Sequence, residues 1–312
     1  MNNTAKLTIV MYHYVRPIKD SKFPRIKGLE LELFKLQLDY LKKNFNMISV
    51  ADLVDYLYLG KKLPKNSCLL TFDDGYKDHI IFVLPELLKK KIKAIFFPVA
   101  EATMNRQLLD ENAIHFILEA FADHQSLLNR VFKSCLDNSV ELKTLNDWKK
   151  NQMLIKGKYD KPETSLIKKI LQYLLPPQIR KNIISQLFKE YVSKECNDFA
   201  NSLYLNADDI KTMLSFGMQI GSHGSTHIRL GQHSYEEQKK EIENSLNFLE
   251  SFGISKKNWV MCYPHGNYNK DTLSILNDFN CSMAFVDCGG KTFLNKKNRF
   301  QLTRYDTNEF LN

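Results

Sequence analysis

Short hydrophobic segments recur along the chain, and within each of them the apolar residues are nearly continuous instead of alternating with polar ones. This pattern is typical of parallel β-strands that are buried on both faces of a sheet. Seven segments of this kind are predicted as strands: residues 8–13, 68–73, 94–100, 218–223, 259–264, 282–287 and 300–305. Helical patterns lie between them, so strand and helix alternate. The alternation predicts an α/β fold, and seven strands favour a closed barrel over an open sheet.

Capping signals place the starts of three predicted helices. In each, a Ser or Asn residue is followed three positions later by an acidic residue, a spacing that satisfies the first free backbone N–H groups of a helix. The pairs are Ser49 with Asp52, Asn206 with Asp209, and Ser234 with Glu237. Glycines at positions 60, 217 and 253 are predicted to end these helices.

Residues 105–201 interrupt the alternation, because they contain no good strand pattern and many Lys and Asn residues. Their apolar residues recur at helical spacing, as in the cluster of Leu166, Ile170, Tyr173 and Leu174. We therefore predict a helical insertion over residues 105–201, between the third and fourth strands. The barrel domain would then be discontinuous and formed by residues 1–104 and 202–312.

Composition and charge narrow the class of protein. With 44% hydrophobic and 25% charged residues, the chain resembles an ordinary globular protein, and no apolar run approaches the ~20 residues that span a bilayer. The N-terminal segment lacks the features of a secretory signal, so we expect a cytoplasmic protein. The net charge of +9 fits a solvated basic face, a phosphate-bearing sugar carrier or peripheral association with an anionic membrane. The sequence contains no nucleic-acid-binding motif, so we expect no nucleic-acid partner.

A group of mostly polar and charged residues falls at the C-terminal ends of the predicted strands. These positions are His13, Asp73, Asp74, His223, Tyr263, Pro264, His265, Asp287 and Arg304. The C-terminal ends of parallel barrel strands share one face, and that face carries the active site. We therefore expect these residues to lie together.

Two of these groups have the residue types of a catalytic metal site. The adjacent carboxylates of Asp73 and Asp74 are costly to bury unless a cation compensates their charge. His223 and His227 would point at one ion if their segment formed a helical turn. One carboxylate and both histidines would then hold a divalent ion, and the other aspartate could act as a base. The residues alone do not decide which aspartate has which role, and an N-cap at Asp74 or two unrelated histidines are simpler alternatives.

The segments 71–75 and 223–227 resemble motifs of the NodB-homology polysaccharide deacetylases, carbohydrate esterase family four. The first motif, T-F-D-D-G, matches residue for residue, and the second, H-[S/T]-x-x-H, matches at both histidines but has Gly224 in place of Ser or Thr. The third, R-P-x-[YF]-G, is matched only by Pro264 and Gly266. The resemblance covers roughly residues 7–100 and 203–305 and leaves the insertion outside.

The resemblance implies a deformed (β/α)7-type barrel and metal-dependent hydrolysis of a non-peptide carbon–nitrogen bond. By motif position, Asp74, His223 and His227 would bind one divalent ion, with zinc expected first and cobalt, nickel or iron as alternatives. Asp73 would be the base that deprotonates a metal-bound water, which attacks the acetamide carbonyl. The backbone N–H of His265 would stabilise the oxyanion. The residues expected to bind the substrate are His13, Tyr263, Pro264, Gly266 and Tyr268.

Two departures from the family pattern leave the general acid open. Cys262 stands where the third motif has an arginine that pairs with the catalytic aspartate. Arg304 stands where the last strand has the histidine that protonates the leaving amine, and arginine is a poor proton donor because it stays charged. We therefore consider two hypotheses. Arg304 replaces the missing arginine and pairs with Asp73, and His265 or His13 acts as the acid.

Together these expectations describe a cytoplasmic de-N-acetylase of an N-acetylated amino sugar. A nucleotide- or lipid-linked sugar, used in the assembly of a surface polysaccharide such as lipopolysaccharide or capsule, fits the expected location and the basic charge. Two alternatives stay open. One is hydrolysis of another carbon–nitrogen amide or of an O-acyl ester by the same chemistry, and the other is a glycan- or partner-binding protein without catalytic activity.

Overall fold

The computed structural model describes residues 5–151 and 160–309, and it divides into two compact units. The first unit comprises Met1–Pro17, Gly28–Gln107 and Ala200–Asn312, and the second comprises Ile18–Lys27 and Leu108–Phe199. The short segment Ile18–Lys27 thus belongs with the helical residues, which no sequence pattern indicated. The domain boundaries predicted from the sequence stay a prediction, and residues 152–159 of the predicted insertion lie outside the described part of the chain.

The strands of the described chain are short, with eight residues at most. In chain order they are β1 (Ala5–Tyr12), β2 (Val15–Arg16), β3 (Leu29–Glu30), β4 (Asn46–Met47), β5 (Ser67–Asp74), β6 (Ile95–Pro98), β7 (Gln219–Ile220), β8 (Val260–Cys262), β9 (Met283–Val286), β10 (Thr292–Leu294), β11 (Leu302–Thr303) and β12 (Tyr305–Asp306). Each of the seven predicted strand segments overlaps a strand, in order β1, β5, β6, β7, β8, β9 and β11, and the last segment also reaches the first residue of β12.

Helices separate most of these strands. The α-helices are α1 (Leu31–Asn44), α2 (Val50–Leu59), α3 (Leu84–Lys90), α4 (Ala100–Met104), α5 (Asp110–Ala120), α6 (His124–Asp137), α7 (Leu142–Lys150), α8 (Pro162–Lys169), α9 (Pro177–Tyr191), α10 (Cys196–Leu203), α11 (Ala207–Ser215), α12 (Tyr235–Glu250) and α13 (Lys270–Asp278). The three predicted N-cap pairs form reciprocal capping boxes at the starts of α2, α11 and α12, as the sequence indicated. Among residues 5–151 and 160–309, no helix combines the length and the apolar character needed to cross a membrane.

Two sheets form the wall of a deformed (β/α)7-type barrel, and their strands are parallel apart from β10, which pairs with β1 in antiparallel orientation. In one sheet β1 pairs with β5, β5 with β6 and β6 with β7, and in the other β8 pairs with β9 and β9 with β11. The two sheets meet at two places. Ser222, just after β7, bridges to Met261 of β8, and residues 302–306 run from β11 to β12, which pairs with β1. The predicted α/β barrel is therefore confirmed.

The strand β7 is shorter than predicted, because consecutive residues after it pair with different sheets. The N–H of Gly221 donates to the carbonyl oxygen of Phe96 in β6 (2.8 Å), whereas that of Ser222 donates to Val260 in β8 (3.0 Å). The chain thus changes sheets within one residue, directly before His223. The strand predicted over residues 218–223 exists, but its predicted length is wrong.

The barrel wall is buried on both faces, which explains the nearly continuous hydrophobic pattern of its strands. Within β1, Leu7 and Ile9 belong to one apolar cluster and Val10 belongs to another. The first cluster also contains Phe97 of β6 and Phe285 of β9, whose ring centroids are 5.6 Å apart although their strands are not neighbours. This cluster therefore fills the barrel interior, and the other lies between the strands and the surrounding helices.

The second unit is helical and has an apolar core of its own, which includes Ile114, Ile117 and Leu166. The sequence pattern also placed Tyr173 and Leu174 in an apolar cluster, but these side chains are 45% and 41% exposed. Both lie in a π-helical turn over Ile170–Leu174, and the wider turn shifts the helical phase. The cluster prediction is therefore wrong for these two residues.

The turn that follows β5 should not tolerate a side chain at residue 75. Gly75 has φ +68°, and a Cβ added there would lie 2.6 Å from the Cβ of Pro98; Gly60 has φ +70°, but a Cβ there would meet nothing within 4 Å. Replacement by alanine should cost about 1–2 kcal/mol at either site because the backbone is left-handed. Gly75→Ala should cost about 1–3 kcal/mol more because of the steric clash. Urea unfolding measures both, and equal losses would contradict the steric account.

Candidate active site

Both aspartates of the first motif are buried at the C-terminal end of β5. Adjacent side chains of a regular strand point to opposite faces of the sheet. Asp74 departs from this rule, because its backbone is left-handed with φ +67°, and Gly75 follows with φ +68°. Both carboxylates consequently come near the same imidazole, that of His223, while each makes contacts of its own.

Asp74, His223 and His227 form a compact set of metal-ligand types. Oδ1 of Asp74 lies 3.3 Å from Nε2 of His223 and 3.4 Å from Nε2 of His227. One ligand atom from each residue falls within 4.8 Å of the other two. Although Oδ1 of Asp74 is buried, none of the described residues offers it a hydrogen bond of acceptable geometry. Two imidazole nitrogens and such a carboxylate oxygen fit a divalent ion of the zinc type.

The two histidines are brought together by an irregular loop and not by the helical turn that their spacing suggested. Residues 221–227 contain no helix, and Gly224 and His227 have left-handed backbones with φ +76° and +63°. The ring centroids of His223 and His227 are 4.9 Å apart. Nδ1 of His223 donates to the carbonyl oxygen of Cys262 (2.9 Å), so in the neutral imidazole Nε2, which faces Asp74, is the nitrogen without a proton. The helical turn is wrong, but the two rings do meet.

Arg304 makes a bidentate ion pair with Asp73 in the barrel interior. Its Nη1 and Nη2 atoms donate to Oδ1 and Oδ2 of Asp73 at 2.8 and 2.7 Å. Further N–H groups donate to Oγ1 of Thr71 (3.1 Å) and to the carbonyl oxygen of Val286 (3.2 Å). The ion pair named in the first hypothesis is therefore present. The arginine of this ion pair lies in the segment between β11 and β12 and not in the third motif.

The ion pair keeps Asp73 ionised although its side chain is 2% exposed. Burial alone would raise the pKa of Asp73, but the charge of Arg304 and its hydrogen bonds lower that pKa to about 2. Cys262 lies beside the pair, with its Sγ 3.4 Å from Oδ2 of Asp73. Burial raises the pKa of the Cys262 thiol, so the side chain is uncharged at neutral pH. A cysteine side chain is never positively charged, so Cys262 does not replace the arginine of the third motif.

Tyr76 holds the second carboxylate oxygen of Asp74, a contact that sequence reasoning missed. Its hydroxyl donates to Oδ2 of Asp74 at 2.5 Å. The Tyr76 ring is buried and stacks on that of Tyr14, with 4.0 Å between the centroids. Oδ2 is thereby occupied, and Oδ1 is the oxygen available to a ligand. The signal in the sequence was the position of Tyr76 directly after the T-F-D-D-G match.

His13 and His265 lie at the edge of the same cluster. Nε2 of His13 is 3.8 Å from Oδ2 of Asp73, and the His13 side chain is 42% exposed. The ring of His265 lies 4.5 Å from that of His227, and His265 has a left-handed backbone with φ +56°. The structure thus brings both candidate proton donors to the carboxylates and histidines predicted from the sequence.

Tyr263, Pro264, Gly266 and Tyr268 lie in the turn after β8, where the two tyrosine side chains serve packing. The hydroxyl of Tyr263 donates to the carbonyl oxygen of Phe300 (3.0 Å), and its buried ring stacks on that of Tyr268. Gly266 has φ +60°, which lets the chain turn sharply. Because the Tyr263 ring is buried in these contacts, a substrate would contact the backbone of this turn and not that ring. The substrate contact itself stays a prediction.

Comparisons with known sequences agree with this fold and site. The sequence model of the family Polysaccharide deacetylase matches residues 159–284, a range that contains His223 and His227. The Bacillus subtilis (strain 168) protein YxkH, whose name assigns it provisionally to the polysaccharide deacetylases, is 28% identical over 108 residues. That match spans 34% of this chain and 37% of the length of YxkH.

Two solved structures share the fold over nearly the whole chain. The Streptococcus pyogenes deacetylase PplD, in complex with acetate, has a TM-score of 0.58 at 17% identity, and the match covers 97% of this chain and 93% of PplD. A de-N-acetylase from Aggregatibacter actinomycetemcomitans has a TM-score of 0.57 at 15% identity, with 96% and 94% covered. At such identities the likeness establishes the fold alone.

The fold and the site define an α/β-barrel protein with a carboxylate–histidine cluster at the C-terminal face of the barrel. The chain resembles the polysaccharide deacetylase family, whose members are hydrolases that act on non-peptide carbon–nitrogen bonds. The family resemblance carried by residues 71–75 and 223–227 is thereby confirmed, although the range matched by the family's sequence model begins after the first motif.

Removal of Arg304 should destabilise the protein in a pH-dependent way. In Arg304→Met the buried carboxylate of Asp73 loses its guanidinium partner, which should cost about 3–5 kcal/mol of unfolding free energy at neutral pH. In the native protein the lowered pKa of Asp73 contributes stability above about pH 4, and this contribution is lost as the pH falls toward 2. In the variant, burial instead raises that pKa, so protonation relieves the penalty. The loss relative to the native protein should therefore shrink as the pH falls from about 7 to about 4.5.

Urea unfolding in the presence of a chelator measures this difference at both pH values. Arg299→Met is the matched control, because Arg299 donates to neutral acceptors, the Lys296 carbonyl oxygen and the Asn277 side chain. A loss in Arg304→Met below about 1 kcal/mol, or one that does not change with pH, would contradict the ionised pair.

Proposed function

We propose that this protein is a metal-dependent de-N-acetylase that removes the acetyl group from an N-acetylated amino sugar. The observation that carries the proposal is that the two neighbouring carboxylates have different partners. Asp73 is paired with Arg304, and Asp74 faces His223 and His227. One carboxylate can accept a proton while the other helps to hold a cation. The deacetylase PplD, solved in complex with acetate, supports the proposal because it shares this fold.

Asp74, His223 and His227 would hold one divalent ion, and their donor set suits zinc, with cobalt, nickel or iron as alternatives. When bound, such an ion supplies Lewis acidity, which polarises an acetamide carbonyl and lowers the pKa of a water molecule. Tyr76 orients Asp74 by its hydrogen bond to Oδ2, and the carbonyl of Cys262 fixes the ring of His223. Outer contacts of this kind normally set the direction of ligand atoms.

Asp73 is proposed to accept the proton of the attacking water. The bidentate contact with Arg304 fixes the plane of the carboxylate and holds it ionised. A carboxylate with a pKa of about 2 is a weak proton acceptor. Asp73 can therefore act only on a water that has already been made more acidic, so the base and the ligand set depend on each other.

The leaving amine needs a proton from a group other than Arg304, because the guanidinium stays charged and is occupied by Asp73. We propose His13 as this acid. It lies beside Asp73 on the exposed side of the cluster, and His79 fixes its backbone by a hydrogen bond from Nε2 to the His13 carbonyl oxygen (3.0 Å). The backbone N–H of His265 is proposed as the donor to the oxyanion, in agreement with the sequence-based expectation.

The sugar is proposed to be linked to a nucleotide or lipid carrier of surface polysaccharide assembly. The net charge of +9 supports a substrate that carries phosphate, since a basic protein attracts anions. The buried groups that perform the reaction would act equally on a free glycan, so the linkage has to be tested separately from the chemistry.

The decisive experiment joins metal content with acetate release. The native protein, Asp74→Ala and Asp73→Asn are stripped with a chelator and reloaded with Zn²⁺ or Co²⁺, and bound metal is measured by mass spectrometry. We expect about one ion per native chain, loss of that ion in Asp74→Ala and its retention in Asp73→Asn. Acetate release should fall about 10²–10⁴-fold in Asp73→Asn, because the base is lost while the ligands remain.

Asp208→Asn, which alters an exposed aspartate of α11, is the matched control. The substrates are N-acetylglucosamine oligomers, a nucleotide-linked and a lipid-linked N-acetylhexosamine, an O-acetylated sugar and a simple acetamide. Cleavage of only the O-acetylated sugar or the simple acetamide would replace the amino-sugar assignment by the ester or amide alternative. A native protein that neither retains metal nor releases acetate would refute the proposal and favour a binding protein.

The assignment of the acid predicts how two histidine variants differ. His13→Gln should lower kcat by about 10²–10⁴-fold and abolish the fall of the rate at high pH, because an acid works only while protonated. His265→Gln should keep that fall, because His13 is intact, and should keep most of the rate, because the backbone N–H of residue 265 remains in place. Rates of acetate release across the pH range provide the measurement. If His265→Gln loses the high-pH fall and His13→Gln keeps it, His265 is the acid.

A further inference from the structure

The loop that carries the two histidines has an irregular backbone that is held by hydrogen bonds to other elements. Gly224 and His227 both have left-handed backbones, with φ +76° and +63°, and residues 221–227 contain no helix. A non-glycine residue such as His227 adopts this region only when its surroundings impose it. The polar backbone groups between His223 and His227 therefore need partners from other elements.

One such partner is Glu241, a buried residue in the middle of α12. Its Oε1 accepts hydrogen bonds from the backbone N–H groups of Ser225 (2.8 Å) and Thr226 (2.6 Å). Its Oε2 accepts a third from the Thr226 hydroxyl (3.0 Å). A carboxylate that accepts bonds from backbone donors fixes them more strongly than a neutral acceptor does.

The opposite side of the same loop is held by the start of α4. The carbonyl oxygen of Gly224 accepts from the N–H of Ala100 (3.3 Å), and that of Ser225 accepts from the N–H of Glu101 (2.9 Å). The backbone between the two histidines is therefore clamped, with the N–H groups of Ser225 and Thr226 bonded to α12 and the carbonyl groups of Gly224 and Ser225 bonded to α4.

Glu241 also accounts for the departure of this loop from the family motif. A Cβ at residue 224 would lie 2.9 Å from Oε1 of Glu241, in addition to the left-handed φ. A Ser or Thr at this position would displace the carboxylate from the two N–H groups that it accepts. Gly224 and Glu241 thus depend on each other.

We propose that Glu241 is a positioning residue of the metal site. It sets the distance and direction between the His223 and His227 rings by fixing the backbone that joins them. The inference rests on the proposed metal site, but it concerns a residue that contacts neither the ligand atoms nor a substrate. A role of this kind is measured by metal affinity and not by acetate release.

The experiment is a titration of chelator-treated protein with Co²⁺, followed by visible absorption, with the fold checked by circular dichroism. Glu241→Ala should weaken Co²⁺ binding about 10–100-fold, as is usual when outer contacts of ligands are lost. Glu241→Gln should bind nearly as well as the native protein, because its Oε1 can still accept both N–H groups and its amide can donate to the Thr226 hydroxyl. Glu243→Ala, an exposed glutamate of the same helix, should have no effect.

Gly224→Ala tests the same clamp from the other side, with Gly253→Ala as its control. Gly253 has φ +74°, and a Cβ there would meet nothing within 4 Å, so it carries the backbone cost without the clash. We expect Gly224→Ala, and not Gly253→Ala, to weaken Co²⁺ binding. This pair decides the question if Glu241→Ala does not fold.

The outcomes separate the two proposals. A native protein that binds no Co²⁺ would refute the metal site itself. Native binding that is unchanged in folded Glu241→Ala, or in Gly224→Ala, would overturn the role of Glu241. Weak binding in Glu241→Gln equal to that in Glu241→Ala would also overturn it, because the conservative variant keeps the hydrogen bonds.

Discussion

A carboxylate buried at the end of a barrel strand stays ionised only if a cation reaches it, and in this protein Arg304 provides that cation for Asp73. Arg304 lies in the segment between β11 and β12, where the chain passes from one sheet to a strand paired with β1. The ion pair and the closure of the barrel therefore involve the same residues. Thr71 ties the pair to the wall, since its hydroxyl donates to the carbonyl of Val10 in β1 and accepts from Arg304.

This constraint separates two carboxylates that are neighbours in sequence. Asp73 has its charge neutralised by Arg304, whereas Asp74 has one oxygen held by Tyr76 and the other directed at His223 and His227. Different surroundings give chemically identical side chains different roles, as in other sites with paired acids. The left-handed backbone of Asp74, at the end of β5, gives its side chain a direction that differs from the alternation of a regular strand.

The departures from the family motifs are explained by the size and the charge of neighbouring side chains. Cys262 is a small neutral residue beside Asp73, and the arginine that the third motif would supply arrives instead from the last strands. Gly224 replaces a hydroxyl-bearing residue, and its lack of a side chain admits the carboxylate of Glu241. In both cases the requirement for a charge or a hydrogen bond is met, but by a residue from a different part of the chain.

The sequence by itself determined the strands, the capped helices, the aspartate pair and the two histidines, because hydrophobic periodicity, capping and short motifs are local properties. The sequence raised the pairing of Arg304 with Asp73, 231 positions away, only as a hypothesis, and the tertiary structure decided it. The tertiary structure alone decided that Tyr76 and Glu241 support the ligand set. It also decided that the histidines meet through a clamped loop and not through a helical turn. Such contacts depend on barrel closure and helix packing, which bring together residues that no local pattern relates.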